Sequence, residues 1–256
     1  MQLIIWSWNV NGLRAAINKG FLEIVKKEQP DILGIQETKL QEHQIPEELN
    51  TLEDYLTYWS HGTRKGYSGT GLFTKLLPMS VETKFGNPEF DCEGRINIAE
   101  YHNFIYFNIY FPNGQKDDER LNYKLRFYER CLEVMEAKRT TGKIILVGGD
   151  FNTAHHPIDL ANPKENEKTS GFLPIERAWL TKIESMGWVD TFRHFDQSPE
   201  QYTWWSYRTK ARPRNVGWRL DYFWVNRECL KHIIKAGIRQ DIEGSDHCPV
   251  YVILEI

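Results

Sequence analysis

Short apolar runs recur along the whole chain and alternate with polar or helical stretches, and this alternation restricts the possible folds most strongly. Several runs are apolar at consecutive positions, which is typical of strands covered on both faces. Strands that alternate with helices indicate an α/β protein. We predict strands at residues 3–10, 32–36, 70–74, 96–101, 104–111, 144–148, 220–225 and 250–255.

Two helices and two long connections are predicted between these strands. The first helix covers about residues 118–138, and we expect its charged face to be solvated. Its apolar face consists of residues at three- and four-residue steps, namely Leu121, Leu125, Tyr128, Leu132 and Met135. The second helix should begin near Pro174 and end at Gly187. The connections at residues 152–173 and 197–217 are long for a compact domain, which favours a functional role for both.

Length and composition favour one domain over residues 1–256. The net charge of −3 excludes DNA binding by bulk attraction, so any DNA contact must be local. Nine Trp, twelve Tyr and thirteen Phe leave rings free to line a binding surface. The four cysteines are widely spaced, which disfavours a zinc site or a disulfide framework. We also expect no leader peptide, no membrane span, a cytoplasmic location and a monomer.

Polar residues stand where several predicted strands end. They are Asn9, Asn11, Glu37, Tyr110, Asn113, Asp150, Asn152, Asp221, Asp246 and His247. Each alone is more often a turn or helix cap. Strand ends on one side of a sheet lie close together, so these segments can line one cleft. Oxygen ligands such as Glu37, Asp246 and Asn9 suit Mg²⁺, whereas zinc requires more histidine or cysteine.

Residues 202–219 interleave aromatic rings with basic side chains. The rings are Trp204, Trp205, Tyr207 and Trp218, and the cations are Arg208, Lys210, Arg212, Arg214 and Arg219. Cations neutralise phosphates while rings pack against sugars or bases, which predicts a local DNA-binding patch. The alternative is a solvated basic loop over a core rich in tryptophan.

Ten segments in order along nearly the whole chain resemble the exonuclease III family of abasic-site endonucleases. They are WNVNGLRA (8–15), IQETK (35–39), KGYSG (65–69), EGRI (93–96), YFPNG (110–114), GGDFNTAH (148–155), SGFLP with ERAW (170–179), YTWWSYR (202–208), NVGWRLDYF (215–223) and GSDHCP (244–249). The resemblance implies the DNase I-like four-layer sandwich, with two mixed β-sheets flanked by helices. It also implies a nick 5′ to an abasic site in double-stranded DNA.

The same resemblance implies roles for the polar residues. Glu37 is the principal ligand of Mg²⁺, with Asp246 and Asn11 near the ion and Mn²⁺ as a substitute. Some relatives carry Asp where Asn11 stands, which removes a negative charge here. Asp150 orients or deprotonates the attacking water, and Asp221 fixes the ring of His247, which contacts the phosphate. The residues that hold the phosphate are Asn9, Tyr110, Asn113 and Asn152.

The resemblance also implies how the DNA is held. Trp204, Trp218 and Leu220 form the walls of a pocket for the extruded sugar, and Arg208 enters the gap left in the duplex. Further contacts to the DNA backbone are expected from Arg64, Lys65, Lys116 and Arg212.

Three alternatives remain open at this point. One is a Tyr110 phenolate as the nucleophile, which requires a large fall from its ordinary pKa near ~10. A phosphoinositide or sphingomyelin phosphodiesterase would keep Glu37, Asp150 and His247 but expose hydrophobic loops towards a membrane. A noncatalytic DNA-binding or scaffold protein should lack at least one of these three residues, and none is missing.

Overall fold

The computed structural model describes residues Met1–Ile256 and contains two six-stranded sheets. The first sheet has the order β11-β12-β1-β2-β4-β3 and the second β5-β6-β7-β8-β10-β9. The strands are β1 Gln2–Asn9, β2 Ile32–Gln36, β3 Leu56–Ser60, β4 Thr70–Thr74, β5 Ser80–Glu82, β6 Ile96–Glu100, β7 Phe104–Tyr110, β8 Ile144–Asp150, β9 Trp188–Asp190, β10 Asp221–Asn226, β11 Ile233–Ile238 and β12 Val250–Glu255.

Both sheets are mixed. In the first, β1 pairs with β2 in parallel and with β12 antiparallel. In the second, β7 pairs with β8 in parallel and β8 with β10 antiparallel. The α-helices are α1 Leu13–Ile17, α2 Phe21–Glu28, α3 Pro88–Asp91, α4 Asp118–Arg139, α5 Pro174–Ser185 and α6 Thr191–Phe195. No helix combines the length and the apolarity that crossing a bilayer requires.

Three apolar clusters separate four layers. The central cluster lies between the sheets and includes Ile5 and Leu72 from the first sheet and Leu146 and Phe223 from the second. A second cluster lies between the second sheet and helices α4 and α5, and a third between the first sheet and helices α1 and α2. The predicted sandwich of two mixed sheets flanked by helices is therefore confirmed.

The eight predicted strands are present, with ends that shift by one or two residues. The four strands that the sequence analysis missed, β3, β5, β9 and β11, are the four edges of the two sheets. Two of them have only three residues, and β3 and β11 are largely exposed or half-buried. Because an edge strand needs little apolar surface, it carries a weak pattern in the sequence.

Helix α4 confirms the longer helix, and Tyr128, Leu132 and Met135 of its expected apolar face are buried, but the first two positions of that face are not. Lys124, Phe127 and Cys131 are buried, whereas Leu121 and Leu125 are only half-buried. The expectation that the charged positions are solvated is wrong at Lys124. Its ammonium group donates hydrogen bonds to Glu176 Oε1 at 2.7 Å and to the carbonyl of Asn152 at 2.8 Å. Partners from distant segments therefore decided which face of this helix is buried.

Candidate active site

The strand register brings the polar strand ends of the second sheet together. Asp150 at the end of β8 lies opposite Tyr110 on β7 and opposite Asp221 on β10. From the first sheet, Asn9 ends β1 and Glu37 follows β2 directly. A cavity of about 400 Å³ lies beside these strand ends. Its lining includes Glu37, Tyr110, Asn113, Asn152, Trp204, Trp218, Leu220, Asp246 and His247.

Asn9 connects the two sheets at this point. Its Nδ2 donates to Glu37 Oε1 at 3.0 Å and to Asp150 Oδ2 at 2.8 Å. His247 Nε2 lies 3.9 Å from the same Asp150 oxygen. Asn9 and Asp150 therefore link Glu37 to His247, and both of these residues line one cleft, as the sequence analysis expected.

Three residues of the site have left-handed backbone conformations. Asn11, Glu37 and Asn152 have φ values of 47°, 53° and 51°. Asn tolerates this region, but Glu37 does so only under constraint from its surroundings. Strained backbone of this kind concentrates at functional sites because the fold stabilises it elsewhere. Each of the three residues lies within two positions of a strand end, where it turns the chain and aims a side chain into the cleft.

Asp221, His247 and Asp150 form a buried acidic group with one imidazole. His247 Nδ1 lies 2.8 Å from Asp221 Oδ2. Burial lowers the pKa of His247, but Asp221 and Asp150 outweigh this effect and raise the pKa to about 10. Burial, together with repulsion from Asp221, raises the pKa of Asp150 to about 7. The ring is thus a fixed cation beside a carboxyl group that changes protonation state near neutrality.

A second chain of contacts joins the remaining carboxylates. Lys39 Nζ lies 3.1 Å from Glu37 Oε2 and also donates to Asn11 Oδ1. Asn11 Nδ2 in turn donates to Asp246 Oδ1 at 2.9 Å. The sequence analysis did not select Lys39, although it lies in the IQETK segment two positions after Glu37. It orients one carboxylate directly and the other through Asn11.

Hydrogen bonds within the site reach every side chain that the sequence analysis expected near the metal ion. The Oδ1 of Asn9 accepts from the backbone N–H of Asn11 at 2.9 Å, and the Oδ1 of Asn11 accepts from Lys39. Glu37 and Asp246 also accept hydrogen bonds, from Asn9 and from Asn11. These two are half-buried carboxylates in the cleft, a donor set suited to a hard cation that keeps several waters. Asp150, Asp221 and His247 form a further group whose ligand atoms lie within 4.8 Å of one another.

Two amides and a phenol complete the polar side of the cleft. Asn152 Nδ2 donates to the carbonyl of Phe111 at 2.8 Å, and Asn113 Nδ2 donates to Asn152 Oδ1 at 3.3 Å. Burial, together with the negative charge of Glu37, raises the pKa of Tyr110 well above its ordinary value. This shift disfavours a Tyr110 phenolate as the nucleophile and fits a role as a neutral hydrogen-bond donor.

Trp204, Trp218 and Leu220 lie at the apolar side of the same cavity. The rings of Trp204 and Trp218 meet edge to face with centroids 6.5 Å apart. Gly171 packs behind the second ring, with a φ of 98°. A Cβ atom at this position would lie 3.3 Å from Trp218 Cζ3, so the wall requires glycine there. The three predicted wall residues are brought together as expected.

The chain has clear relatives among known protein families and individual proteins. Residues 6–247 match the Endonuclease/Exonuclease/phosphatase family. The chain belongs to this family. It is 44% identical over 259 residues to the exodeoxyribonuclease of Bacillus subtilis, with 100% of both chains covered. It is 39% identical over 258 residues to a DNA-(apurinic or apyrimidinic site) endonuclease of Dictyostelium discoideum, covering 100% of this chain and 71% of that protein.

Solved structures agree with this assignment. An AP endonuclease from Archaeoglobus fulgidus superposes with a TM-score of 0.89 at 26% identity, covering 99% of this chain and 100% of that chain. The catalytic domain of APE2 from Xenopus laevis superposes with a TM-score of 0.88 at 30% identity, covering 99% and 92%. The family resemblance and the fold expected from the sequence are both confirmed.

The cations that the sequence analysis expected to contact DNA are not all free to do so. Arg64, Lys65, Lys116 and Arg208 are exposed. Arg212 instead donates to the carbonyls of Ser245, Gln240 and Ile242, the shortest of these hydrogen bonds at 2.6 Å. It fastens the loop of residues 202–219 to residues 240–245, which argues against the phosphate contact expected for it.

Arg219 is a clear correction, because it is fully buried and cannot neutralise a phosphate at the surface. Its guanidinium group lies 2.8 Å from Asp159 and 2.7 Å from Asp190. Arg193 joins the same network through Asp159 at 2.8 Å. The sequence analysis missed this network because its members come from three separate segments. Arg219 lies between the two wall residues Trp218 and Leu220, so the network holds the pocket wall from behind.

Proposed function

We propose that this chain is a DNA-repair endonuclease that hydrolyses the phosphodiester bond 5′ to an abasic site in double-stranded DNA. The products are a 3′ hydroxyl and a 5′ deoxyribose phosphate, and some 3′→5′ exonuclease or 3′-end-cleaning activity accompanies the cut. One observation carries the proposal, namely that an acidic site for phosphodiester hydrolysis and an aromatic pocket share one cavity of about 400 Å³. The names of its relatives, exodeoxyribonuclease and AP endonuclease, support it.

Asp150 is the residue that orients and deprotonates the attacking water. Its pKa of about 7 matches the requirement that a general base accept a proton near neutral pH. In-line attack places negative charge on the non-bridging oxygens of the phosphate. The imidazolium of His247, held by Asp221, donates to one of these oxygens. Asn152, Asn113 and Tyr110 supply neutral donors around the same group.

Glu37 and Asp246 hold the divalent cation, with Mg²⁺ as the natural ion and Mn²⁺ as a substitute. When bound, such an ion polarises the phosphate and stabilises the charge that develops on the departing 3′ oxygen. Asn9 and Lys39 keep the Glu37 carboxylate in place through their contacts at 3.0 Å and 3.1 Å. The family is the feature that supports a metal-dependent reaction most directly.

The pocket formed by Trp204, Trp218 and Leu220 selects the lesion by exclusion. A nucleotide without its base exposes a sugar that fits between the rings, whereas an intact nucleotide carries a base that the walls reject. Extruding an abasic nucleotide also costs less because no stacked base is lost. Exposed Arg208 fills the gap, and Arg64, Lys65 and Lys116 contact the DNA backbone. We further propose that the enzyme acts as a monomer in the cytoplasm, with the DNA.

The test compares two duplexes that differ at one nucleotide, a tetrahydrofuran abasic analogue or an ordinary deoxynucleotide. We expect a single nick 5′ to the analogue in Mg²⁺ and none in EDTA. Asp150→Ala should abolish the nick while DNA binding persists. Equal cutting of the undamaged duplex would refute the role of the pocket. An inactive wild type in saturating metal would refute the proposed function itself.

A further inference from the structure

The edge of the pocket touches the metal site through one hydrogen bond. Trp204 Nε1 donates to Asp246 Oδ2 at 3.1 Å. We propose that Trp204 is a positioning residue that couples occupancy of the pocket by a base-free sugar to the affinity of the Glu37 and Asp246 site for its cation. This inference rests on the function proposed above and assigns to Trp204 a second task besides forming a wall.

The Asp246 carboxylate is oriented from both sides. Its Oδ1 accepts from Asn11 Nδ2 at 2.9 Å and from Ser245 Oγ at 3.2 Å. Its Oδ2 accepts from Trp204. Donors on both oxygens fix the rotation of the carboxylate, and hydrogen bonds of this kind set the affinity of a ligating group for its metal. Asn11 and Ser245 do not line the cavity, whereas the indole of Trp204 does.

The backbone of Trp204 is fixed on both sides, which leaves the side chain as the part that can respond. Its N–H donates to the carbonyl of Trp218 at 2.9 Å, and the N–H of Trp218 donates back at 2.9 Å. Its other side forms a bridge with His247. The next residue, Trp205, donates its N–H to the carbonyl of Asp246 at 3.0 Å. Backbone hydrogen bonds therefore hold the segments that carry the indole and the carboxylate next to each other.

The orientation of the Trp204 ring determines whether its Nε1 reaches the Asp246 carboxylate. The indole is half-buried and lines the cavity, while its Nε1 reaches Asp246. A sugar packed against this ring restricts it to the orientation in which Nε1 bonds the carboxylate. The site then needs less reorganisation to bind its cation. Coupling between two sites is reciprocal, so the bound cation strengthens binding of abasic DNA by the same factor.

The experiment measures binding of Mn²⁺ by electron paramagnetic resonance, which reports the free ion. The DNA carries a tetrahydrofuran analogue whose 5′ linkage is an uncleavable methylenephosphonate, and a matched duplex carries an ordinary nucleotide. For the wild type we expect tighter Mn²⁺ binding with the analogue duplex than with the matched one. Equal affinity with the two duplexes would overturn the inference without any variant.

Trp204→Phe keeps a ring but removes the N–H donor. We expect Mn²⁺ affinity of the free protein to fall about 10- to 100-fold, as for other hydrogen-bond partners of metal ligands. The difference between the two duplexes should disappear as well. Trp218→Phe is the matched control, because Trp218 forms the other wall without contacting Asp246, and it should keep wild-type Mn²⁺ affinity.

Two results separate this inference from the proposed function. Wild-type Mn²⁺ affinity in Trp204→Phe, or an equal loss in Trp218→Phe, overturns the coupling while the wild type still nicks abasic DNA in Mg²⁺. Failure of the wild type to nick abasic DNA overturns the proposed function, whatever the metal affinities are. Thermal unfolding of both variants in EDTA checks that each is folded.

Discussion

Two groups of buried charges lie on either side of the pocket wall, and they are built in opposite ways. Behind the wall, Asp159 and Asp190 meet Arg193 and Arg219, so that each carboxylate faces a guanidinium group. In the cleft, Asp150 and Asp221 share the single imidazole of His247. The first group is balanced in charge and the second has an excess of negative charge.

The pKa values follow this difference. Burial by itself raises the pKa of Asp159, but Arg219 and Arg193 outweigh it and hold the pKa well below its usual range. Burial and Asp221 instead raise the pKa of Asp150 to about 7. Asp221 Oδ1 is buried without a hydrogen-bond partner. Balanced buried charges hold this fold together, whereas the crowded ones cost stability and make the cleft reactive.

The largest effect is expected for Asp150→Asn. Loss of the general base should lower the single-turnover rate of nicking at an abasic analogue by about 10²- to 10⁴-fold. Thermal unfolding should occur at no lower temperature than in the wild type, because the substitution removes a like-charge contact with Asp221. A variant that cuts normally, or one that is strongly destabilised, would show that Asp150 belongs with the balanced group.

Asp159→Asn makes the same chemical change behind the wall and should have the opposite result. It leaves Arg219 buried with one carboxylate fewer, and breaking a buried pair costs about 3–5 kcal/mol. Urea unfolding should show this loss in the free energy of unfolding. The rate of nicking per folded molecule should change little. A large loss of that rate in fully folded protein would contradict the division into a structural group behind the wall and a catalytic group in the cleft.

A smaller effect concerns acid. Burial, together with the charges of His156, Arg219 and Arg177, lowers the pKa of His155 to about 3, although Asp159 opposes this shift. The unfolded chain protonates this residue near pH ~6.5, so it binds more protons than the folded state between these values. The stability that the neutral ring contributes is therefore present above pH ~6.5 and declines as the pH falls towards 3.

His155→Gln tests this loss of stability between pH ~6.5 and 3. The glutamine amide takes over the contact that Nε2 makes with Thr181 at 2.9 Å, but it does not titrate. Urea unfolding at a series of pH values should show a smaller loss of stability on acidification in the variant than in the wild type. Parallel curves between pH 8 and pH 4 would refute the assignment.

The smallest effect separates two arginines of one loop. Arg208 is exposed, whereas Arg212 is engaged with three backbone carbonyls. Because Arg208 occupies the gap in the duplex, Arg208→Ala should lower the affinity for an abasic duplex, with unchanged thermal unfolding. Arg212→Ala should lower the unfolding temperature. Unchanged affinity of Arg208→Ala for abasic DNA would contradict the place of Arg208 in the gap.

The central strands and the polar residues at their ends were predictable because they depend on local signals. A strand buried on both faces has to be apolar at consecutive positions, as in residues 144–148, whatever the rest of the chain does. The side chains of Glu37, Asp150 and His247 meet because strand ends meet, which the order of strands and turns already implies. Edge strands lack such a signal, and β5 and β9 were missed for that reason.

Charged residues show most clearly what cannot be predicted from local sequence. By sequence, Arg208, Arg212 and Arg219 are equivalent cations in one basic loop. In the structure, Arg208 is exposed, Arg212 is hydrogen-bonded to backbone carbonyls outside the loop, and Arg219 is fully buried. Burial of a charge is stable only when partners from elsewhere in the chain compensate its desolvation. Asp159 and Asp190 supply those partners for Arg219, and no local pattern records that they will be there.

Periodicity and strand ends are local properties, so the α/β class, the central strands and the kinds of side chain at the cleft follow from the order of residues. The pairing of the charges, the burial of Lys124 and the contact between Trp204 and Asp246 arise when distant segments pack together. The physical reason is that a hydrogen bond or an ion pair depends on positions to within an ångström, and segments far apart in the chain set those positions jointly.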